Sequence, residues 1–176
     1  MRKYVVIRNI LLAGLLGSLL AACGFTLAGT RPLPEPLKVV FIEMTTPYRV
    51  AEPPLQTALR KLLVRRGANV EPKASQATTH IRLWDLTERR ETLSIGPDGK
   101  ALEYRLTVSV HYAADLGALP LVAADELSVQ RDYSFKASQI LAKEAEEAQL
   151  REYIQTEMAE LLMLRIEAAL AGSAPQ

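Results

Sequence analysis

The sequence predicts an α+β fold: a two-layer sandwich with two helices packed on one face of a mostly antiparallel, mixed four-stranded sheet. Three observations predict it. Between His80 and Phe135 apolar residues recur at every second position, in runs separated by turns bearing glycine and proline. Before that region Leu55, Leu59, Leu62 and Leu63 recur with helical spacing; after it Leu150, Ile154, Met158, Leu161 and Leu162 do the same. Two one-sided helices and a one-sided sheet bury their apolar faces together as two layers.

The N-terminal stretch comes first. Arg2, Lys3 and Arg8 precede an apolar run from Ile10 to Leu20, which ends in Leu20-Ala21-Ala22-Cys23. This is the anatomy of a secretory signal, with a cysteine directly after the small residues. Leu-small-small-Cys is the pattern of a bacterial lipoprotein signal, so residues 1–22 are expected to be removed and Cys23 to carry lipid. A transmembrane helix would need a longer apolar run and a following charge cluster; here Gly24 and Pro32-Leu33-Pro34-Glu35-Pro36 follow. By resemblance to bacterial lipoproteins, Gly24 rather than Asp after the cysteine implies export to the outer membrane. Residues 23–36 read as an extended tether, because three prolines fix φ and remove donors.

A single domain is expected over 37–171. Leu37 to Ile42 is a β-branched run and reads as a strand. Glu52-Pro53-Pro54 opens a helix, since proline is tolerated in the first turn, and Gly67 closes it. Asn69-Val70 is at most a strand fragment. In the next strand Ile81 and Leu83 share one parity, Leu86 takes the other, and Leu93 and Ile95 revert, so a β-bulge is expected near Asp85. Gly96-Pro97-Asp98-Gly99 is hairpin chemistry. Leu102 to Tyr112 alternates cleanly, Gly117 to Pro120 reads as a turn, and the last strand spans Leu121 to Phe135. A helix follows from about Ala142 to Leu170, with Glu144, Glu146 and Glu147 suited to the positive end of its dipole. Residues 172–176 read as a short disordered tail.

Charge excludes one class of partner. The chain holds 21 Lys+Arg against 20 Asp+Glu. Without the three basic residues of the signal the balance is about −2, which argues against nucleic acid as a partner. Cys23 is the one cysteine, so no disulfide within the chain is possible. His80 and His111 are the two histidines, both at wet strand positions. No metal-ligand, phosphate-loop or nucleophile motif occurs, so an enzyme is not expected, nor a metal, nor a cofactor other than the lipid on Cys23. Asp85 reads as a bulge residue with catalysis as the alternative; Trp84 as a core or sheet-edge residue, or else an anchor for a partner.

Topology brings the 96–100 turn and the junction before the last helix to one end of the sheet. Arg89, Arg90, Lys100, Lys136 and Lys143 gather there, either as a cluster able to hold phosphates and carboxylates or as separate solvated cations.

Three stretches carry a family resemblance: Cys23 to Gly29; the hairpin with Gly99-Lys100-Ala101-Leu102-Glu103-Tyr104; and Arg131 to Phe135 followed by Ile140 to Glu144. Together they resemble the LPS-assembly lipoprotein LptE family. The resemblance departs at Ala28, where the family often carries an arginine. It implies an outer-membrane lipoprotein that plugs and helps assemble the β-barrel LptD, and that assists delivery of lipopolysaccharide (LPS) to the cell surface. It also implies LPS contacts at Lys100 and Lys143, to which topology adds Arg90. The alternative is another outer-membrane lipoprotein, an assembly partner or secretin pilot that does not bind LPS.

Overall fold

The structure, a computed structural model, describes residues 32–46, 51–134 and 140–173, without the side chains of 140–144 and 173. Cys23, the signal segment, most of the tether, Phe135, Lys136 and the last three residues lie outside the described part. The elements run β1 (Val39–Thr45), α1 (Pro54–Arg65), β2 (Asn69–Val70), β3 (Thr79–Ile95), β4 (Ala101–Leu116), β5 (Leu119–Ser134) and α2 (Ile140–Ser173). The sheet order is β2-β1-β3-β4-β5. β1 pairs parallel with β2 and with β3, while β3, β4 and β5 form an antiparallel meander. The mixed α+β sandwich is therefore as expected, with one correction: the fragment Asn69-Val70 is a fifth, edge strand. A parallel neighbour needs a crossover, and α1 supplies it.

Each element follows from its side chains. Val40, Ile42 and Met44 of β1 face the core. α1 begins with proline at its first helical position and buries Leu55, Leu59, Leu62 and Leu63. It ends where Gly67 takes φ +90° and the Ala68 N–H donates to the Leu63 carbonyl at 2.9 Å, a glycine C-terminal cap. The expected bulge is present: the β3–β4 register slips between Trp84 and Thr87, and Asp85 takes φ +51°. Ile81 and Leu83 thus point into the core before the slip, and Leu86 packs against it after. On β4 the core face is Leu106, Val108, Val110 and Tyr112; on α2 it is Ile154, Met158, Leu162 and Ile166. Both helices share one core cluster with the sheet. No described helix is long and apolar enough to cross a membrane.

Four details differ from expectation. The end of the tether is docked rather than extended: Leu33 and Leu37 are buried, Glu35–Leu37 forms a 3-10 turn, and the Thr79 hydroxyl donates to the Pro36 carbonyl at 2.7 Å. β5 starts two residues early, with Leu119 opposite Leu116 and Pro120 opposite Asp115 across a Gly117-Ala118 turn. α2 is longer than expected at both ends and runs through Ser173. Leu93, Ile95 and Leu102 are exposed, because the hairpin outruns the helix layer.

Candidate functional site

The far end of the β3–β4 hairpin is shaped by its turn. Gly99 takes φ +76°, a backbone that L-residues seldom adopt. The Gly96 N–H donates to the Lys100 carbonyl at 2.7 Å, and the Lys100 N–H donates to Asp98 Oδ1 at 3.2 Å. Lys100 is held at the tip with its ammonium in solvent, 3.5 Å from Asp98 Oδ2. An exposed pair of this kind contributes about 1 kcal/mol or less and leaves the cation free to exchange partners. Beside it stand the exposed apolar side chains of Leu93, Ile95 and Leu102.

Register brings the last helix junction to the same end. Ser134, the final residue of β5, lies opposite Glu103. Lys143 follows in the first turn of α2, its side chain beyond the described part. Arg90 is set apart from these two. It pairs in register with Leu106, five residues before the hairpin turn, or about 16 Å along the strand.

The bulge decides where Arg90 points. After the slip at Asp85, even-numbered residues of β3 face the helices, so Glu88 and Arg90 look toward α2. The Arg90 guanidinium sits 4.9 Å above the Tyr104 ring centroid and 3.5 Å from Glu147 Oε2. Arg151 reaches Glu147 at 2.5 Å and Glu88 at 2.7 Å. The result is a chain of charge, Glu88–Arg151–Glu147–Arg90, joining sheet to helix. Burial disfavours the charged form of Glu147, yet Tyr133, Arg151 and Arg90 together hold its carboxyl below the usual range. Burial pushes the Tyr133 hydroxyl up, with Glu147 adding to the shift and Arg90 opposing it. That hydroxyl is buried with no hydrogen bond of good geometry, so its coupling to both neighbours is close-range electrostatics rather than a well-formed bond.

Arg90 thus braces α2, while Lys100 is a free cation at a partly apolar tip. Arg89 points to the other face of the sheet and lies 3.8 Å from Glu91. Sequence reasoning missed the Tyr104–Tyr133 stack, Glu147 and Arg151, because their partners lie on other elements. The exposed tip carried a signal, since Leu93, Ile95 and Leu102 were legible as apolar positions.

The other singled-out residues sit elsewhere. Asp85 is the bulge residue. Trp84 lies half-buried on a central strand, on the face away from the helices, stacked on His111 with ring centroids 5.8 Å apart. His80 packs against Phe41 on the same face and lies 3.1 Å from Glu43.

Comparison with known proteins agrees with this architecture. The profile of the LptE family, described as lipopolysaccharide-assembly, matches residues 36–166. An LPS-assembly lipoprotein LptE from Photorhabdus laumondii is 32% identical over 159 residues, covering 89% of this chain and 81% of the relative. One from Pectobacterium atrosepticum is 28% identical over 162 residues, covering 89% and 83%. In fold the chain is similar to the solution structure of lipoprotein B from Nitrosomonas europaea. There the TM-score is 0.62 at 23% identity, covering 87% of this chain and 99% of that one. The crystal structure of rare lipoprotein B from Shewanella oneidensis gives 0.57 at 23% identity, covering 76% and 95%. By profile, by identity over most of its length, and by a sandwich shared with solved lipoproteins, the chain belongs to the LptE family.

Proposed function

We propose that this chain is an outer-membrane lipoprotein, anchored by lipid on Cys23, that plugs and helps assemble the LptD β-barrel. It assists delivery of lipopolysaccharide to the cell surface and has no catalytic role of its own. Family membership supports the general role, and one geometric observation supports the ligand: a solvated cation, Lys100, stands among Leu93, Ile95 and Leu102 on a protruding tip. An amphiphile with phosphates beside acyl chains needs that combination. In this reading Lys100 and Lys143 meet the anionic groups of LPS, and Arg90 contributes to the same field while bracing α2.

The test is the full chain carrying Lys100→Glu and Lys143→Glu. LPS affinity is expected to fall about tenfold or more, the worth of one or two charge-assisted contacts, with circular dichroism and barrel co-purification unchanged. Unchanged LPS affinity in the folded double variant would refute the site. A mild-detergent pull-down of the lipidated chain is expected to recover a large outer-membrane barrel in stoichiometric amount. Recovery of the chain alone, or with a secretin, would refute the plug role.

A further inference from the structure

The helix layer holds a cleft remote in kind from the hairpin tip. It lies between α1 and α2, with a volume of about 670 Å³ and an apolar lining that includes Ala58, Leu62 and Leu86. The bulge makes part of this lining, since without the slip at Asp85 the Leu86 side chain would face the opposite side of the sheet.

The two walls carry opposite charge. Lys61 and Arg65, one helical turn apart on α1, line one side, and Glu152 and Glu160, two turns apart on α2, line the other. All four are exposed, and among the described residues none has a side-chain ion pair or side-chain hydrogen bond. Solvated helix faces would account for these charges alone. They do not account for Gln155, which lines the same cleft, is only 8% exposed, and has a buried Oε1 with no hydrogen-bond partner. A buried acceptor left unpaired costs about 1–3 kcal/mol, so this position calls for a donor from outside the chain.

We infer that the interhelical cleft binds a phosphoethanolamine group carried on an apolar body. Its phosphate lies toward Lys61 and Arg65. Its primary ammonium lies toward Glu152 and Glu160 and donates to Gln155 Oε1, and the apolar body rests on Ala58, Leu62 and Leu86. The cleft falls in the usual size range of small-ligand sites, about 300–1,000 Å³. The chemistry is selective. A trimethylammonium group has no N–H for Gln155, and a glycerol headgroup has hydroxyl donors but no cation for the acidic wall. Two carriers share the group, a glycerophospholipid and a glycolipid decorated with phosphoethanolamine.

The experiment titrates the full chain in detergent micelles with dihexanoyl phosphatidylethanolamine, phosphatidylcholine and phosphatidylglycerol, following amide shifts by NMR. Phosphatidylethanolamine is expected to bind about tenfold more tightly than the other two, the effect of one charge-assisted hydrogen bond. Gln155→Met is expected to abolish the preference over phosphatidylcholine while keeping or raising Tm, because it removes the orphaned acceptor. Should Gln155→Met not fold, the exposed double change Glu152→Gln with Glu160→Gln tests the same ammonium contact and should lower affinity for phosphatidylethanolamine alone. Equal affinity for the three lipids, or a preference that survives the folded variants, overturns the site. Displacement by LPS bearing phosphoethanolamine, but not by LPS lacking it, would assign the glycolipid as carrier; displacement by neither would assign the phospholipid.

Discussion

Glu147→Ala should detach the brace between α2 and the hairpin. The Glu147 side chain is 12% exposed and lies between two guanidiniums, Arg151 at 2.5 Å and Arg90 at 3.5 Å. Removing one partner of a fully buried ion pair costs about 3–5 kcal/mol, while an exposed pair contributes about 1 or less. Arg151 keeps Glu88, and Arg90 is half in water, so the loss falls between these limits, at about 2 kcal/mol. For a domain of this size that lowers Tm by about 6 °C. Urea denaturation at pH 7 measures it, with an unchanged m-value showing that the unfolding reaction is the same. The pH dependence is a second check. The native carboxyl titrates below its ordinary value of 4.5, so its stabilisation is complete above that value and is lost as pH falls through the depressed native one. Wild type and variant should therefore converge in acid. A loss below about 0.5 kcal/mol at pH 7, the usual size of a neutral surface change, would refute the brace. So would a gap that persists unchanged in acid.

Other outcomes follow from single contacts. Even-numbered carbonyls of β1 point toward β2, as the Asn69 and Glu71 N–H bonds to Lys38 and Val40 show, and beyond β2 the buried Gln56 amide takes the Ile42 carbonyl at 3.2 Å. Gln56→Leu strips that acceptor and should lower the denaturation midpoint by about 1–3 kcal/mol equivalent. Asp85→Val places a β-branched residue at φ +51° and should destabilise by about 1–2 kcal/mol, whereas Asp85→Gly should be tolerated in the same thermal melt. Met158→Ala empties a fully buried position and should cost about 2–5 kcal/mol in urea titration. Cys23→Ala should leave an unlipidated precursor, seen by mass spectrometry as the absence of added acyl mass.

Elements with one buried face were legible because burial imposes a period: Leu106 to Tyr112 alternate, and Ile154 to Ile166 recur every four residues. The bulge was legible for the same reason, as a break in parity at Asp85. β2 was only a fragment to the eye, since two residues display no period. Pro120 read as a turn residue, but β5 is an edge strand, where a missing N–H near the first residue is tolerated. Leu33 was lost among prolines, yet it packs into the core. The even-odd pattern marked Leu93 and Ile95 as inward-facing but could not tell that the helices stop short of them. At the hairpin end Lys100 was readable from its turn, while the partners of Arg90 were not. Glu147 is 57 positions away, and charges paired across elements leave no local pattern.

The docked tether and the hairpin tip lie at opposite ends of one strand. Pro36 is tied to Thr79, the first residue of β3, and the turn bearing Lys100 follows its last, Ile95. Seventeen residues of strand span about 55 Å, more than the roughly 40–45 Å of a bilayer with its headgroups. The sheet therefore works as a spacer of fixed length. Whatever meets the root of the domain and whatever meets its tip are kept in separate surroundings, and both can be engaged at once.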